Sequence, residues 1–288
     1  MNTTKRTVAP HRHPLVQDLI VTAGGFIAST ATAWVLYAME RWWDFSLYSL
    51  MVWFVVPAGA LIAGMGAAAG YYAGARIADS RPTRLLLVNM VLVSASTFFA
   101  VHWLRYDAVI GARGLEYRVS FWRFLDESLT HLSMTTRSHG AALGSTGELG
   151  VFGYGVAALQ ILGFAMGGFI VYGALAKLPF CERCARYLAA RGQQKRFADT
   201  AESFDTMANA LIARWRRDDR QGSLDLHRRW GLSKMSKTCR VMSTVERKQC
   251  PGCRVNWLRY RAQRFDGKNW KVLPGLDFAR YHEGELTT

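Results

Sequence analysis

Four stretches of the chain carry almost no charged residue over the length of a bilayer crossing. They are 15–39, with one early charge at Asp18; 46–75, with none; 85–104, whose polar members are Asn89 and His102; and 149–176, with Gln160 near its middle. A hydrocarbon core about 30 Å thick requires roughly 20 apolar residues of helix. The pattern therefore predicts a membrane all-α four-helix bundle over 15–176, preceded by a short segment, 1–14. The first run lacks the short apolar core and small-residue cleavage site of a signal peptide, so it reads as an uncleaved helix. Between the third and fourth runs, 120–136 has helical periodicity. Phe121, Trp122, Leu125, Leu129 and Leu132 share one face, Ser120 is placed to cap the start, and the helix is expected to lie along the interface or roof the bundle.

Within the second run, Gly66, Gly70 and Gly74 recur every four residues, and Gly163 and Gly167 repeat the device in the fourth. Small residues in register let two helix backbones approach closely. The stripe predicts a packing face, used either inside the bundle or between copies in a homo-oligomer. Lys and Arg choose the orientation. Lys5, Arg6 and Arg12 precede the first run, and Arg76, Arg81 and Arg84 fill the second loop. The first loop has only Arg41, and the 105–148 loop balances five basic against five acidic residues. The positive-inside rule then puts both termini and the second loop in the cytoplasm of a bacterial inner membrane, and the long loop outside. Trp42, Trp43, Trp53, Trp103 and Tyr106 fall near the expected interfaces.

From 177 onward the pattern changes. The overall charge of +15 is concentrated here, with 24 Lys/Arg against 12 Asp/Glu among the last 112 residues. Asp199 to Glu202 has a capping-box pattern, and Phe204, Met207, Ala208, Leu211, Ile212 and Trp215 follow it on one helical stripe. A second short helix is expected over 223–230, ended by Gly231. Strands are expected over 238–245, 254–265 and 268–273, the last two joined by a two-residue turn at Asp266-Gly267. The region 177–288 thus reads as a small α+β domain.

All five cysteines lie in that domain. Four form two Cys-x-x-Cys pairs, Cys181 with Cys184 and Cys250 with Cys253; Cys239 is the fifth and a possible substitute ligand. Two thiolates from one tight turn reach two corners of a tetrahedron, and a second turn supplies the others. The spacing predicts a zinc site, with iron as the alternative because a rubredoxin-like centre uses the same ligands. Basic neighbours, Arg183, Arg186, Arg240, Lys248 and Arg254, are expected to favour thiolates. The second pair followed by a hairpin resembles half of a zinc ribbon, here with a helical insertion of 65 residues between its knuckles. The whole resembles bacterial multi-pass inner-membrane proteins with a zinc-ribbon-like tail, an architecture rather than a named family. Four apolar helices with Cys-x-x-Cys also resemble quinone-linked disulfide-generating membrane enzymes in outline. Those need cysteines on the oxidising face, whereas charge places these on the cytoplasmic side.

The basic tail suits anionic lipid headgroups. Arg254, Trp257, Arg259, Tyr260 and Arg261 interleave charge and rings, as a surface for a cytoplasmic protein or nucleic acid would. In the outer loop Glu127 and His131, with His139 and Glu148, make a weaker metal or acid–base candidate. Phosphate-binding loops, nucleophile elbows and zinc-protease helices are missing from the sequence, which offers no positive argument for an enzyme. The expected function is a membrane scaffold or adaptor presenting a metal-stapled basic domain. Thiol–disulfide or electron transfer through the Cys-x-x-Cys pairs is the alternative, and a small-solute transporter or channel subunit is the second.

Overall fold

The computed structural model describes residues 14–51, 56–114, 118–138, 141–236 and 238–282. Lys5, Arg6, Arg12, Trp53 and His139 lie outside them. The chain forms two compact units that divide after Lys177.

The N-terminal unit is helical. It comprises α1 (Pro14–Trp43), α2 (Ala58–Ala78), α3 (Arg84–Val109), α4 (Phe121–Thr130), a hairpin of β1 (Ser133–Ser138) and β2 (Ala141–Glu148), and α5 (Phe152–Ala176). Three segments are long and apolar enough to cross a membrane: Leu15–Trp43, Arg84–Arg113 and Phe152–Ala176. The expected second crossing differs. Its helix begins only at Ala58, after Pro57, whose ring nitrogen has no hydrogen to donate into a preceding turn. Helix α2 is rich in Gly and Ala and carries Tyr71, Tyr72 and Arg76, so it falls outside the three. Small residues serve close packing instead. A Cβ at Gly70 would run into the Gly24 carbonyl oxygen of α1, and one at Gly74 would lie 2.9 Å from the Val21 Cα. One at Gly66 would lie 3.2 Å from Thr32 Oγ1. The stripe is thus filled by α1 within the same chain rather than left for a second copy. On α5, Gly163 faces Ala60 and Pro57, and Gly167 faces the α2 backbone at Leu61 and Met65.

Helix α3 begins at Thr83, whose Oγ1 accepts from Leu86 N at 3.1 Å. His102, a polar member of the third apolar run, is 2 % exposed. Its ring packs 4.6 Å from Phe98 and 5.9 Å from Tyr48. Gln160 is also buried. Ser120 caps α4 as expected, accepting from Arg123 N, but the helix stops at Thr130 rather than 136. Thr130 turns its hydroxyl back onto the Asp126 carbonyl at 2.9 Å, and the Thr-rich stretch beyond joins the hairpin. His131 Nδ1 lies 2.9 Å from the Glu127 backbone oxygen, and the Glu127 carboxylate pairs with Arg123 at 3.3 Å. Among the described residues these contacts belong to the helix end, and His139 of the candidate set lies outside them.

The C-terminal unit starts with β3 (Phe180–Cys181) and β4 (Arg186–Tyr187), then β5 (Ala189–Ala198), α6 (Ala201–Arg216), α7 (Arg220–Arg229), β6 (Val241–Gln249), β7 (Asn256–Phe265) and β8 (Trp270–His282). Strands β5-β6-β7-β8 form one antiparallel sheet in that order. Strand β5 corrects the expectation that the insertion is largely helical from its start. Its exposed Arg, Gly, Gln and Lys residues show no apolar alternation, and pairing with β6 holds it in place. The helix stripe is buried as a core: Phe204, Met207, Ala208, Leu211 and Trp215 meet Val241, Val245, Leu258, Tyr260 and Ala262 of the sheet. Capping falls one residue later than expected, on Thr200, which accepts from Ser203 N at 3.4 Å. The turn after β7 spans 266–269, because Phe265 pairs with Trp270 and the Asp266 carboxylate accepts from the amides of Lys268 and Asn269 at 2.9 and 2.8 Å. His227 is fully buried between helices and sheet, with Nε2 2.9 Å from Ser243 Oγ.

Candidate metal centre

Each Cys-x-x-Cys pair occupies the turn of a small β-hairpin. Phe180 pairs with Tyr187 and Cys181 with Arg186, so the first pair reverses the chain between β3 and β4. Gln249 pairs with Asn256, so the second does the same between β6 and β7. The turns share a backbone signature. The residue after the second cysteine of each pair, Ala185 and Arg254, is left-handed at φ 47° and 61°. A non-glycine residue adopts that conformation at some cost, and such strain persists where surrounding structure demands it. In the second turn Cys250 N donates to the Val255 carbonyl at 2.8 Å and Arg254 N to the Cys250 carbonyl at 3.1 Å.

The two turns bring four sulfurs within 4.8 Å of one another, with Cys181 and Cys253 Sγ 3.5 Å apart. Metal–sulfur bonds of about 2.3 Å in a tetrahedron put neighbouring sulfurs about 3.8 Å apart, so the donor set fits a four-thiolate ion. Gly252 permits the approach: a Cβ there would sit 2.9 Å from Cys184 Sγ. Leu188, Val255 and Trp257 pack around the cluster, and Tyr281 Oη donates to the Phe180 carbonyl at 3.2 Å, fastening the first turn to β8. Cys239 is buried elsewhere, accepting from Ser236 N at 3.2 Å, and is not one of the four.

Burial pushes the Cys181 thiol up to about 11 and the Cys184 thiol up to about 12. The expected effect of the basic neighbours is outweighed there by loss of water around the sulfurs. At Cys253 burial also acts upward, but the Val255 amide and the neighbouring thiols donate to its sulfur and hold it below the ordinary thiol value. Without an ion Cys181 and Cys184 keep their protons at neutral pH; a cation displaces them and stabilises the thiolates. These four cysteines can hold a metal ion.

The interleaved residues of β7 split between two faces. Trp257, Arg259 and Arg261 lie on the open face, and Arg254 lies in the turn. Tyr260 is fully buried against the helices with Leu258 and Ala262, so strand alternation removes it from the expected surface. Arg259 grips Asp277 with two hydrogen bonds of 2.7 Å, and Arg261 Nε reaches the same carboxylate at 3.3 Å. Beside them a hollow is lined by Gln193, Lys195, Thr244, Glu246 and Gln263. Sequence reasoning did not single out Arg191, Arg247, Gln249 or Asn256, which the fold gathers behind the second turn. Their separation along the chain leaves no local pattern to find. No known protein family, curated protein or solved structure matches the chain.

Proposed function

We propose that this chain is a non-enzymatic inner-membrane adaptor whose zinc-stapled cytoplasmic domain presents a basic surface to a partner. Convergence of both Cys-x-x-Cys turns on one four-sulfur cluster carries the reading, because the first turn follows α5 by only a few residues. A zinc ion there ties the chain just beyond the membrane to the sheet that bears the surface. Raised thiols at Cys181 and Cys184 favour a structural site, and the lowered Cys253 is the thiol that the redox alternative would use.

In this reading α2 is the fourth crossing. Its 21 residues span about 31 Å, enough for a hydrocarbon core, and its exposed Ile62, Met65 and Ile77 would face lipid. Arg76, Arg81 and Arg84 hold their loop and both termini in the cytoplasm, and the tail's remaining charge meets anionic headgroups or an acidic partner. Reporter fusions after residue 282 test the orientation: a fluorescent protein glows and alkaline phosphatase stays inactive if the tail is cytoplasmic. Limited proteolysis of the Cys250→Ser chain tests the staple. The variant is expected to lose metal and be cut throughout the tail at protease levels the wild type resists. An unchanged digestion pattern would reject the shared site.

A further inference from the structure

Behind the second cysteine turn, on the side of the sheet that carries the helices, three arginines gather, and among the described residues only Arg228 has an acid within ion-pair distance. Arg247 of β6 donates from Nε to Asn256 Oδ1 at 3.1 Å, and Arg191 of β5 donates from Nε to Gln249 Oε1 at 3.0 Å. Arg191 lies at the bulge of β5, between Ala190, which pairs with Lys248, and Gly192, which pairs with Arg247. Among the described residues neither guanidinium has a carboxylate within ion-pair distance. Arg228, near the end of α7, is the third; its one acidic neighbour is Asp225 at 3.8 Å. Burial of Arg247, then the positive charges of Arg191 and Arg228, disfavour its charged form, yet an arginine remains protonated at neutral pH.

The support beneath these side chains is specific. Gln249 Nε2 and Asn256 Nδ2 both donate to the Arg254 carbonyl, at 3.3 and 3.4 Å, and Asn256 is fully buried. The amide oxygens thus take the Nε hydrogens, while the terminal nitrogens of Arg191 and Arg247 make no hydrogen bond to described residues. Two oriented forks beside a third cation match a tetrahedral oxyanion, which accepts paired hydrogen bonds and cancels their repulsion. Arg254 is the left-handed residue that closes the second cysteine turn.

We infer that Arg191, Arg228 and Arg247 form a binding site for a phosphate monoester or inorganic phosphate dianion, held in shape by the Arg254 carbonyl through Gln249 and Asn256. The site lies across the sheet from the open basic face, so phosphate binding goes beyond the adaptor reading, and only its coupling to the metal rests on the zinc part of that reading. A metal in the cysteine cluster fixes Arg254 and thereby keeps the site assembled.

Isothermal titration of inorganic phosphate into the full detergent-solubilised chain, at ionic strength held with sodium chloride, tests this. Saturable one-site binding is expected, weakened at least tenfold in Arg247→Gln and in Arg191→Gln, with metal content equal to wild type. Arg264→Gln, which removes an exposed charge elsewhere on β7, is expected to bind like wild type. No saturable binding, or an equal loss in Arg264→Gln, would overturn the site. Dimethyl phosphate is expected to bind more weakly than methyl phosphate; the reverse order would overturn the assignment to a monoester dianion. Removing metal with a chelator is expected to lower phosphate affinity in proportion to the metal lost. Full affinity in metal-free protein would overturn the coupling alone, and metal analysis of the starting protein reports separately on the zinc reading.

Discussion

At the scale of single residues, Gly252 sets how closely the cysteine turns approach. An added methyl would meet Cys184 Sγ, and a sulfur fixed on a metal cannot swing away. Gly252→Ala is expected to lower metal occupancy of the purified chain while Gly192→Ala, in open space, leaves it unchanged. His227 makes a pH-dependent contribution. Burial, aided by the Arg196 charge and opposed by its hydrogen bond with Ser243, pulls its pKa down to about 4 from the ordinary 6.5. The unfolded chain therefore binds the proton first. Stability is fully present above pH 6.5 and falls as pH drops towards 4, by on the order of 3 kcal/mol in total. Chemical denaturation of the full chain at pH 7 and pH 4.5 measures this, and His227→Gln is expected to show a smaller difference than wild type, the remainder coming from metal release and the paired carboxylates. An unchanged pH slope in the variant would assign the dependence to other groups.

Among elements, packing of α1 on α2 rests on backbone contact at small residues rather than on interlocking large side chains. Gly70→Leu is expected to destabilise the helical unit by about 1–3 kcal/mol or block its assembly, as overpacking does. Gly173→Leu, where nothing lies within 4 Å, is expected to be neutral by thermal unfolding in detergent. The three long apolar helices were legible from their unbroken apolar runs, α6 from its helical stripe, and the β7–β8 hairpin from its turn residues. The extent of α2 was misread because hydropathy alone does not register the break at Pro57. Strand β5 and the outer hairpin lay hidden because their residues are polar, and partner strands hold them rather than their own pattern. The cysteine ligands were legible from spacing, since Cys-x-x-Cys encodes a turn with two donors locally. The arginine cluster was not, because only the sheet's register brings Arg191 beside Arg247.

The whole molecule comprises an apolar helical unit and a sheet domain, and the first cysteine of the sheet domain's cluster follows closely after α5 in the chain. An exposed ion pair such as Arg259 with Asp277 contributes little to that domain: Asp277→Asn is expected to cost less than about 1 kcal/mol. The core beneath is different. Leu258→Ala is expected to cost about 2–5 kcal/mol, because it empties a fully buried site between the sheet and its helices. Both are read from denaturation of the tail. The central claim is that Cys181, Cys184, Cys250 and Cys253 together hold one structural metal ion. The most direct measurement is metal content of the detergent-purified full chain, paired with thiol titration before and after denaturation in chelator. The account predicts about one zinc per chain, with four thiols released only on denaturation and chelation. Metal-free protein with rapidly reacting or disulfide-linked pairs would contradict it and make the cysteines a redox centre.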